Sequence, residues 1–370
     1  MHRFLTAALL LAVASSAQAA AEQHDSEKHS FRVTTVADGL EHPWAVAFLP
    51  DSRILITERP GRLLVLDPDS GERTAVDGVP AVSSINQGGL LDVVLHPDYD
   101  DNGWIYFSYA AGGDDGHATQ VSRARLEDAR LVDREDLFVA TPSMPGGRHF
   151  GSRLAFDGAH YLYITTGDRG EREHAQRLDG HLGKVVRLTD DGQIPDDNPF
   201  LDQDAQPGLY TTGHRNAQGL ARHPDTGVMW LHEHGPRGGD EINILQGGLN
   251  YGWPETTFGR EYFGPRIGPE PPVEGFEPPV HHWTPSIAPS GMAFYTGDAF
   301  PQWQGNLFVG ALAHTHLARV VLDGEEVVHE ERLLDDRNDR IRDVRQGPDG
   351  NLYVLVDADS APLLRIEPAE

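Results

Sequence analysis

His149 lies in the run GRHFGSRLAF, a few residues ahead of a short apolar segment, and Asp168 closes the next such segment in ITTGDRG. A histidine that gives one ring N–H to a carboxylate keeps its other nitrogen as a lone-pair base. The pair is therefore a candidate proton-abstracting unit, with His149 as base and Asp168 as its orienting partner. A lone histidine more often serves as a structural hydrogen-bonder, but here comparable positions elsewhere in the chain are also polar. GHRNAQG supplies Arg215 and Asn216, and RIRDVRQGPDG supplies Arg340 and Arg342. Two arginines at i and i+2 of an extended segment point to one side, and their planar forks suit the carboxylates of a ligand. Taken alone, Arg340 and Arg342 read as surface ion pairs; three arginines on one rim read as an anion site.

HEHGPRGGDEIN (232–243) is the densest polar segment. His232-x-His234 has the flavour of zinc, but no third ligand stands in register. Gly235-Pro236 forces an irregular turn with carbonyls free of strand pairing, and free carbonyls with carboxylates favour calcium. Glu241 is the nearby carboxylate and Tyr251, in LNYGWP, follows it; a turn-capping role for Glu241 is an equal alternative. No GxGxxG opens a helix after a strand, and the chain has neither a P-loop nor a GxSxG elbow, which removes support for nicotinamide and serine-esterase chemistry on those scaffolds.

The elements that must position these residues repeat. A small residue, a short apolar strand, a Pro or Asp-Gly turn and a second apolar strand recur six times, beginning near Trp44, Leu90, Leu154, Leu220, Met292 and Val344. Repetition at this scale means a propeller or a solenoid. Just ahead of each copy stand His42, Gln87, His149, Arg215 with Asn216, Ser290, and Arg340 with Arg342, so blades around one axis would gather them into one polar site. The spacing runs from 46 residues (Trp44 to Leu90) to 72 (Leu220 to Met292), against roughly 40–50 for regular blades. The excess is expected in loops at 189–206 and 255–285. β-Branched alternation with Gly, Pro, Asp and Asn turns predicts antiparallel strands. A turn of helix is expected near 123–131 and a loose N-terminus over 21–30.

The chain has 370 residues, no cysteine and a formal charge of −27. Without cysteine there is no disulfide, thiolate metal site or cysteine nucleophile. The acidity disfavours nucleic acid and anionic lipid. Residues 1–20 read as a secretory signal peptide, with a basic start, an apolar run too short to span a bilayer and Ala17-Gln18-Ala19 at the cleavage site. The expected organisation is that signal followed by one propeller domain over 21–370, exported to a bacterial periplasm without membrane insertion.

NQGGLLDVVLHPDY, RHFGSRLAFDG, LGKVVRLTDDGQIPDDNPF, GHRNAQG, HEHGPRGGDEINI, LNYGWP, SGMAFY and RIRDVRQGPDGNLYVL together resemble the soluble quinoprotein glucose/sorbosone dehydrogenase family, and within it the aldose sugar dehydrogenase branch. The resemblance runs in order from about Glu41 to the C-terminus. It implies an all-β, six-bladed β-propeller that binds pyrroloquinoline quinone (PQQ) and Ca²⁺ over the channel and oxidises aldose sugars at C1 to aldonolactones. By motif, His149 takes the anomeric proton and Asp168 orients it. Gln87, Arg215, Asn216, Arg340 and Arg342 match quinone contacts. Ala313 stands where the family commonly has a quinone-contacting lysine, with His314 next to it. The Gly235 and Pro236 carbonyls match ligands of the Ca²⁺ that touches PQQ, and Glu241 and Tyr251 match a second, structural Ca²⁺ site. Arg148 replaces the family's Asp or Asn before the base. Tyr262 is the candidate sugar contact, in loops around Tyr262 and Trp283 that match only loosely. The sequence names neither the physiological sugar nor the electron acceptor, and leaves monomer and homodimer open. Alternatives from other classes are a metal-dependent lactonase, which needs acidic side chains converging on an axial metal, and a non-catalytic binding propeller, which needs an aromatic rim.

Overall fold

A computed structural model describes residues 22–113 and 115–369; the signal-peptide expectation lies outside them. Six antiparallel sheets follow one another around a central axis as the blades of a β-propeller. Blade 1 runs through Pro43–Phe48, Ile54–Glu58, Arg62–Leu66 and Arg73–Ala75. Blades 2 to 5 have innermost strands Leu90–Leu95, Leu154–Phe156, Ala217–Arg222 and Pro289–Phe294. Blade 6 is built from both ends of the chain: Ile341–Gln346, Leu352–Val356 and Ala361–Pro368 are joined by Ser30–Leu40, which pairs antiparallel with Ala361–Pro368.

The burial pattern follows from stacking. A blade is covered on both faces by its neighbours, so its inner strands are apolar throughout and do not alternate: Ile54–Glu58 and Leu352–Val356 are buried at every position. Outermost strands such as Arg73–Ala75 and Glu326–Leu333 are largely exposed and correspondingly charged. Six apolar cores result, each shared by two consecutive blades. Trp44, Leu55, Leu91 and Phe107 join blades 1 and 2; Val46, Ile56, Leu355 and Leu363 join blades 6 and 1. No blade has a complete core by itself, as expected of a repeat architecture.

Two local expectations are corrected. Residues 22–25 form an added edge strand on Ser30–Leu40, with Glu22 opposite Val33 and Asp25 opposite Ser30, so this part of the polar N-terminus is ordered by pairing. The stretch 123–131 is a hairpin between Gly116–Glu127 and Arg130–Val139. Its turn uses left-handed Asp128 and Ala129, and Ala124, Leu126 and Leu131 pack against blade 1, so tertiary packing overrides the helical preference of RARLEDARL. The extra residues do sit in loops, before the outer strands Leu209–Thr211 and His281–Trp283.

The axis carries an ionic plug. Arg153 donates to Asp92 and Asp343 at 3.2 and 3.1 Å, and Arg345 donates to the same two carboxylates at 2.9 and 3.0 Å. Arg153, Asp92 and Asp343 are buried. Backbone groups complete the set: Leu154 N–H to Asp92, Val46 N–H to Asp343, and Arg153 Nε to the Gln218 carbonyl. Buried charges need such pairing; the one Arg153 nitrogen without a hydrogen bond belongs to a guanidinium that sits 4.1 Å from the Trp44 ring centroid. The plug links blades 1, 2, 3, 4 and 6 and floors the space above it.

Candidate active site

The entry ends of the innermost strands and the exit ends of the second strands are antiparallel neighbours. Pro43 pairs with Glu58, Ala217 with Glu233, and Ile341 with Val356. Polar residues flanking both kinds of end therefore reach the same face. There they surround a central cavity of about 330 Å³ whose wall includes Trp44, Arg59, Gln87, Asn216, Gln218, His234, Ala313, Arg340, Arg342 and Asp357.

Beside this cavity the backbone turns sharply at His149, with φ 54. The Gly167 backbone presses against the His149 carbonyl so closely that a Cβ there would lie 2.0 Å from the oxygen. The His149 amide donates to Gln87 Oε1 at 2.7 Å, and His149 Nδ1 lies 2.6 Å from Asp168 Oδ1. Asp168 also accepts from Gly170 N–H (2.7 Å) and from Trp253 Nε1–H at Oδ2 (2.8 Å). A carboxylate with three donors fixes the imidazole tautomer: Nδ1 carries the proton and Nε2 keeps its lone pair. Burial lowers the His149 pKa below 6.5, helped by the Arg215 and Arg148 charges and opposed by Asp168. Burial pushes Asp168 up, but the His149 bond, the Arg215 charge and the Gly170 amide outweigh it, leaving the carboxyl below its usual range. The result is a neutral, oriented base at physiological pH.

The loop bearing His149 is clamped from the other side. Arg169 is buried and donates to the carbonyls of Arg148, His117 and Gly146 at 2.8, 2.6 and 2.7 Å, with its guanidinium 3.6 Å from the Phe150 ring centroid.

Arg340 and Arg342 share Asp357, at 3.2 and 3.3 Å. Burial would raise Asp357, yet Arg342, the His42 bond, Arg340 and Arg59 together hold it well below the usual carboxylate range. Arg59, Arg340 and Arg342 give the cavity wall three cations against this one carboxylate. In a chain of net charge −27 such a wall fits a flat polyanion. Gln87, Asn216, Ala313, Arg340 and Arg342 line it as read from sequence. His42 lies outside the lining and supports it through Asp357. Ser290 lies outside too, its hydroxyl donating to the Ile341 carbonyl between blades 5 and 6. His314 is not in the lining either.

Arg215 belongs to a second, much smaller cavity shared with Glu233, Gly235, Glu241 and Trp253. Its guanidinium donates to the His234 carbonyl at 3.1 Å. Glu233 and Glu241 face each other in register on adjacent strands, both buried. Glu233 accepts from His214 and the Arg215 amide. Glu241 has no cationic partner among the described residues; burial, then the Glu233 charge, pushes its pKa well above the ordinary value. A buried, unneutralised carboxylate pair beside free backbone carbonyls fits a hard cation such as Ca²⁺. Among the described residues no group of three or more His, Cys, Asp or Glu is arranged around a metal, so any such ion would depend on backbone oxygens. The Gly235–Pro236 turn is held by Asp240, which accepts from Gly235 N–H, the Ser286 hydroxyl and the amides of Ile287 and Ala288. The Pro236 carbonyl already accepts from Arg260 N–H at 3.0 Å, leaving it one lone pair. Tyr251 commits its hydroxyl to the Ile244 carbonyl and stacks on His214, which leaves its backbone carbonyl for any ion.

The His232-x-His234 pair does not act together. His232 packs against Gly219, and His234 Nε2 donates to the Pro289 carbonyl at 2.6 Å while burial pushes its pKa down to about 3. Tyr262 is exposed on the rim loop, its carbonyl accepting from Arg237, and the same loop is strapped to blade 3 by Arg172–Glu261 at 2.7 Å. Trp283 is buried and donates to Glu330, so it is no rim residue. Trp253, Arg59, Gln218, Asp240 and Asp357 escaped the sequence reading. The signal for Arg59 and Asp357 was available: they follow second strands as Asp168 does.

The glucose/sorbosone dehydrogenase family matches residues 40–365. The aldose sugar dehydrogenase YliI of Escherichia coli (strain K12) is 49% identical over 344 residues, covering 91% of this chain and 92% of that protein. Among solved structures, the soluble aldose sugar dehydrogenase of Escherichia coli in its apo-form superposes with a TM-score of 0.89 at 48% identity, covering 92% of this chain and 100% of that one. The PQQ-bound aldose sugar dehydrogenase of Streptomyces coelicolor superposes with a TM-score of 0.75 at 29% identity, covering 90% and 98%. The fold and the site thus define a propeller oxidoreductase. The chain belongs to the glucose/sorbosone dehydrogenase family.

Proposed function

We propose that this protein is a PQQ- and Ca²⁺-dependent dehydrogenase that oxidises aldose sugars at C1 to aldonolactones and passes the electrons to an external acceptor. The observation that carries the reading is the His149–Asp168–Trp253 array, a neutral oriented base at the edge of an arginine-walled cavity. Bound PQQ would supply the hydride acceptor and Ca²⁺ the Lewis acid, chemistry that side chains cannot perform. Arg340 and Arg342, with Gln87 and Asn216, would hold the cofactor, and Arg215 would stand between it and the ion near Gly235 and Pro236. Glu241, with the Tyr251 carbonyl, would hold a structural ion.

The residues then divide the work. His149 Nε2 would receive the anomeric proton, and Asp168 would stabilise the imidazolium that forms while Trp253 keeps the carboxylate aimed. Gln87 holds the His149 backbone in place. Tyr262, exposed on the rim loop, would be a sugar contact. A lactonase built on converging axial carboxylates is less well supported, because Asp357 is the one acidic residue in the cavity wall and two arginines bind it. Export fits residues 1–20 of the sequence. Among the described residues no helix is long and apolar enough to cross a membrane.

The direct test is dye reduction by purified apo-protein with a panel of aldoses, before and after addition of PQQ with Ca²⁺. Activity that requires both supports the reading. No activity, with no quinone absorbance kept through gel filtration, refutes it.

A further inference from the structure

Arg59 follows the second strand of blade 1 and is anchored at its backbone. Its amide donates to the His42 carbonyl and its carbonyl accepts from the Leu90 amide, both at 3.0 Å. Gly89 packs so tightly on it that a Cβ there would lie 1.9 Å from the Arg59 carbonyl oxygen. The side chain is part of the central cavity wall. Neighbouring charges are all spent: Glu58 on Arg62 and the Glu41 amide, Arg340 and Arg342 on Asp357. Of these neighbouring cations, the Arg59 guanidinium makes no hydrogen bond or ion pair with the described residues, in a chain with 57 acidic residues against 30 basic ones. Instead it stands close enough to Arg342 and Asp357 for its charge to be felt at both. Like charges gathered around a cavity without a full complement of carboxylates repel until an anion neutralises them. On the same wall, Ala313 offers only a methyl group where a cation is expected from the family resemblance.

We infer that Arg59 is a further cofactor-binding residue of the central cavity, a guanidinium that takes a carboxylate of the bound quinone and supplies the cationic contact that Ala313 lacks. The inference rests on the quinone reading above. A planar fork on an anchored backbone can bind a carboxylate through two parallel N–H donors, which a flexible lysine does as a point charge only.

The test is an equilibrium titration of apo-protein with PQQ at saturating Ca²⁺. It is followed by tryptophan fluorescence, since Trp44 lines the cavity, and by quinone absorbance retained after gel filtration. It compares wild type, R59Q, A313K and the R59Q/A313K double variant. Removing one charge-assisted contact should weaken PQQ affinity about 10- to 100-fold in R59Q. KM for sugar at saturating PQQ should stay unchanged, and A313K in the R59Q background should recover at least about tenfold, because either residue places a cation on the same wall. R59Q binding within about twofold of wild type overturns the inference and leaves the quinone reading intact. A loss that A313K leaves in full also overturns it, since the two positions then do not serve one anion. Wild type that retains no quinone refutes the quinone reading and this inference with it.

Discussion

Replacing Asp168 with Asn tests the proposed base most sharply, because the geometry leaves the new amide no good orientation. Oδ1 of Asp168 accepts from His149 Nδ1 and Gly170 N–H, and Oδ2 accepts from Trp253 Nε1–H. If the amide oxygen stays toward His149, the NH₂ faces the Trp253 N–H, donor against donor. The imidazole then keeps its tautomer but loses the carboxylate that stabilises its protonated form. If the amide flips, its NH₂ faces Gly170 N–H and obliges His149 Nδ1 to accept, moving the proton to Nε2 and abolishing the base. Either arrangement leaves one buried donor unpaired, at about 1–3 kcal/mol. General-base assistance contributes about 10²–10⁴-fold, and D168N should lower kcat by that order. PQQ retention should be unaffected, because Asp168 is outside the cavity wall. The assay is dye-linked turnover on the PQQ- and Ca²⁺-loaded protein, with circular dichroism to check folding. A folded D168N enzyme with kcat within about threefold of wild type would show that Asp168 does not set the His149 tautomer.

Three further outcomes follow from the same geometry. His149 must be neutral to act and its pKa is depressed by burial, then by Arg215 and Arg148, so the acid limb of kcat should lie below pH 6.5. R148N removes one of those charges and should move the limb to higher pH; a limb that stays put refutes the assignment. R169Q removes the cation that ties the Arg148 and Gly146 carbonyls of the loop bearing His149 to the His117 carbonyl of blade 2. It should lower kcat about tenfold or more through misplacement of the base, with sugar KM and PQQ affinity little changed. Chelation should lower the melting temperature of wild type, and added Ca²⁺ should restore it by binding the native state; E241Q should show neither response.

The repeated strand phrases made the blades legible because each inner strand is buried on both faces and so is written in apolar residues. The register of one blade against the next is not written that way. Gln87, Asn216, Arg340 and Arg342 were found as polar residues ahead of or at the start of inner strands. By the same logic His42 and Ser290 were expected in the cavity wall, yet each spends its polar atoms on a neighbouring blade. Arg59 stands between a glutamate and a proline with no local pattern to mark it; its location depends on the antiparallel pairing of Glu58 with Pro43. Trp253 belongs to blade 4's long loop but completes a pair in blade 3, a contact between residues 85 apart that no local pattern encodes. The strand over Glu22–Asp25 was missed because its partner strand, not its composition, orders it.

The ionic plug on the axis has a consequence for traffic. Arg153, Asp92, Asp343 and Arg345 lock the inner strands together, so paired charges would close the axis on that side of the site. Under the proposed function, whatever delivers electrons into the site and whatever carries them away must use the same doorway. The sugar and the electron acceptor would then take turns at that opening.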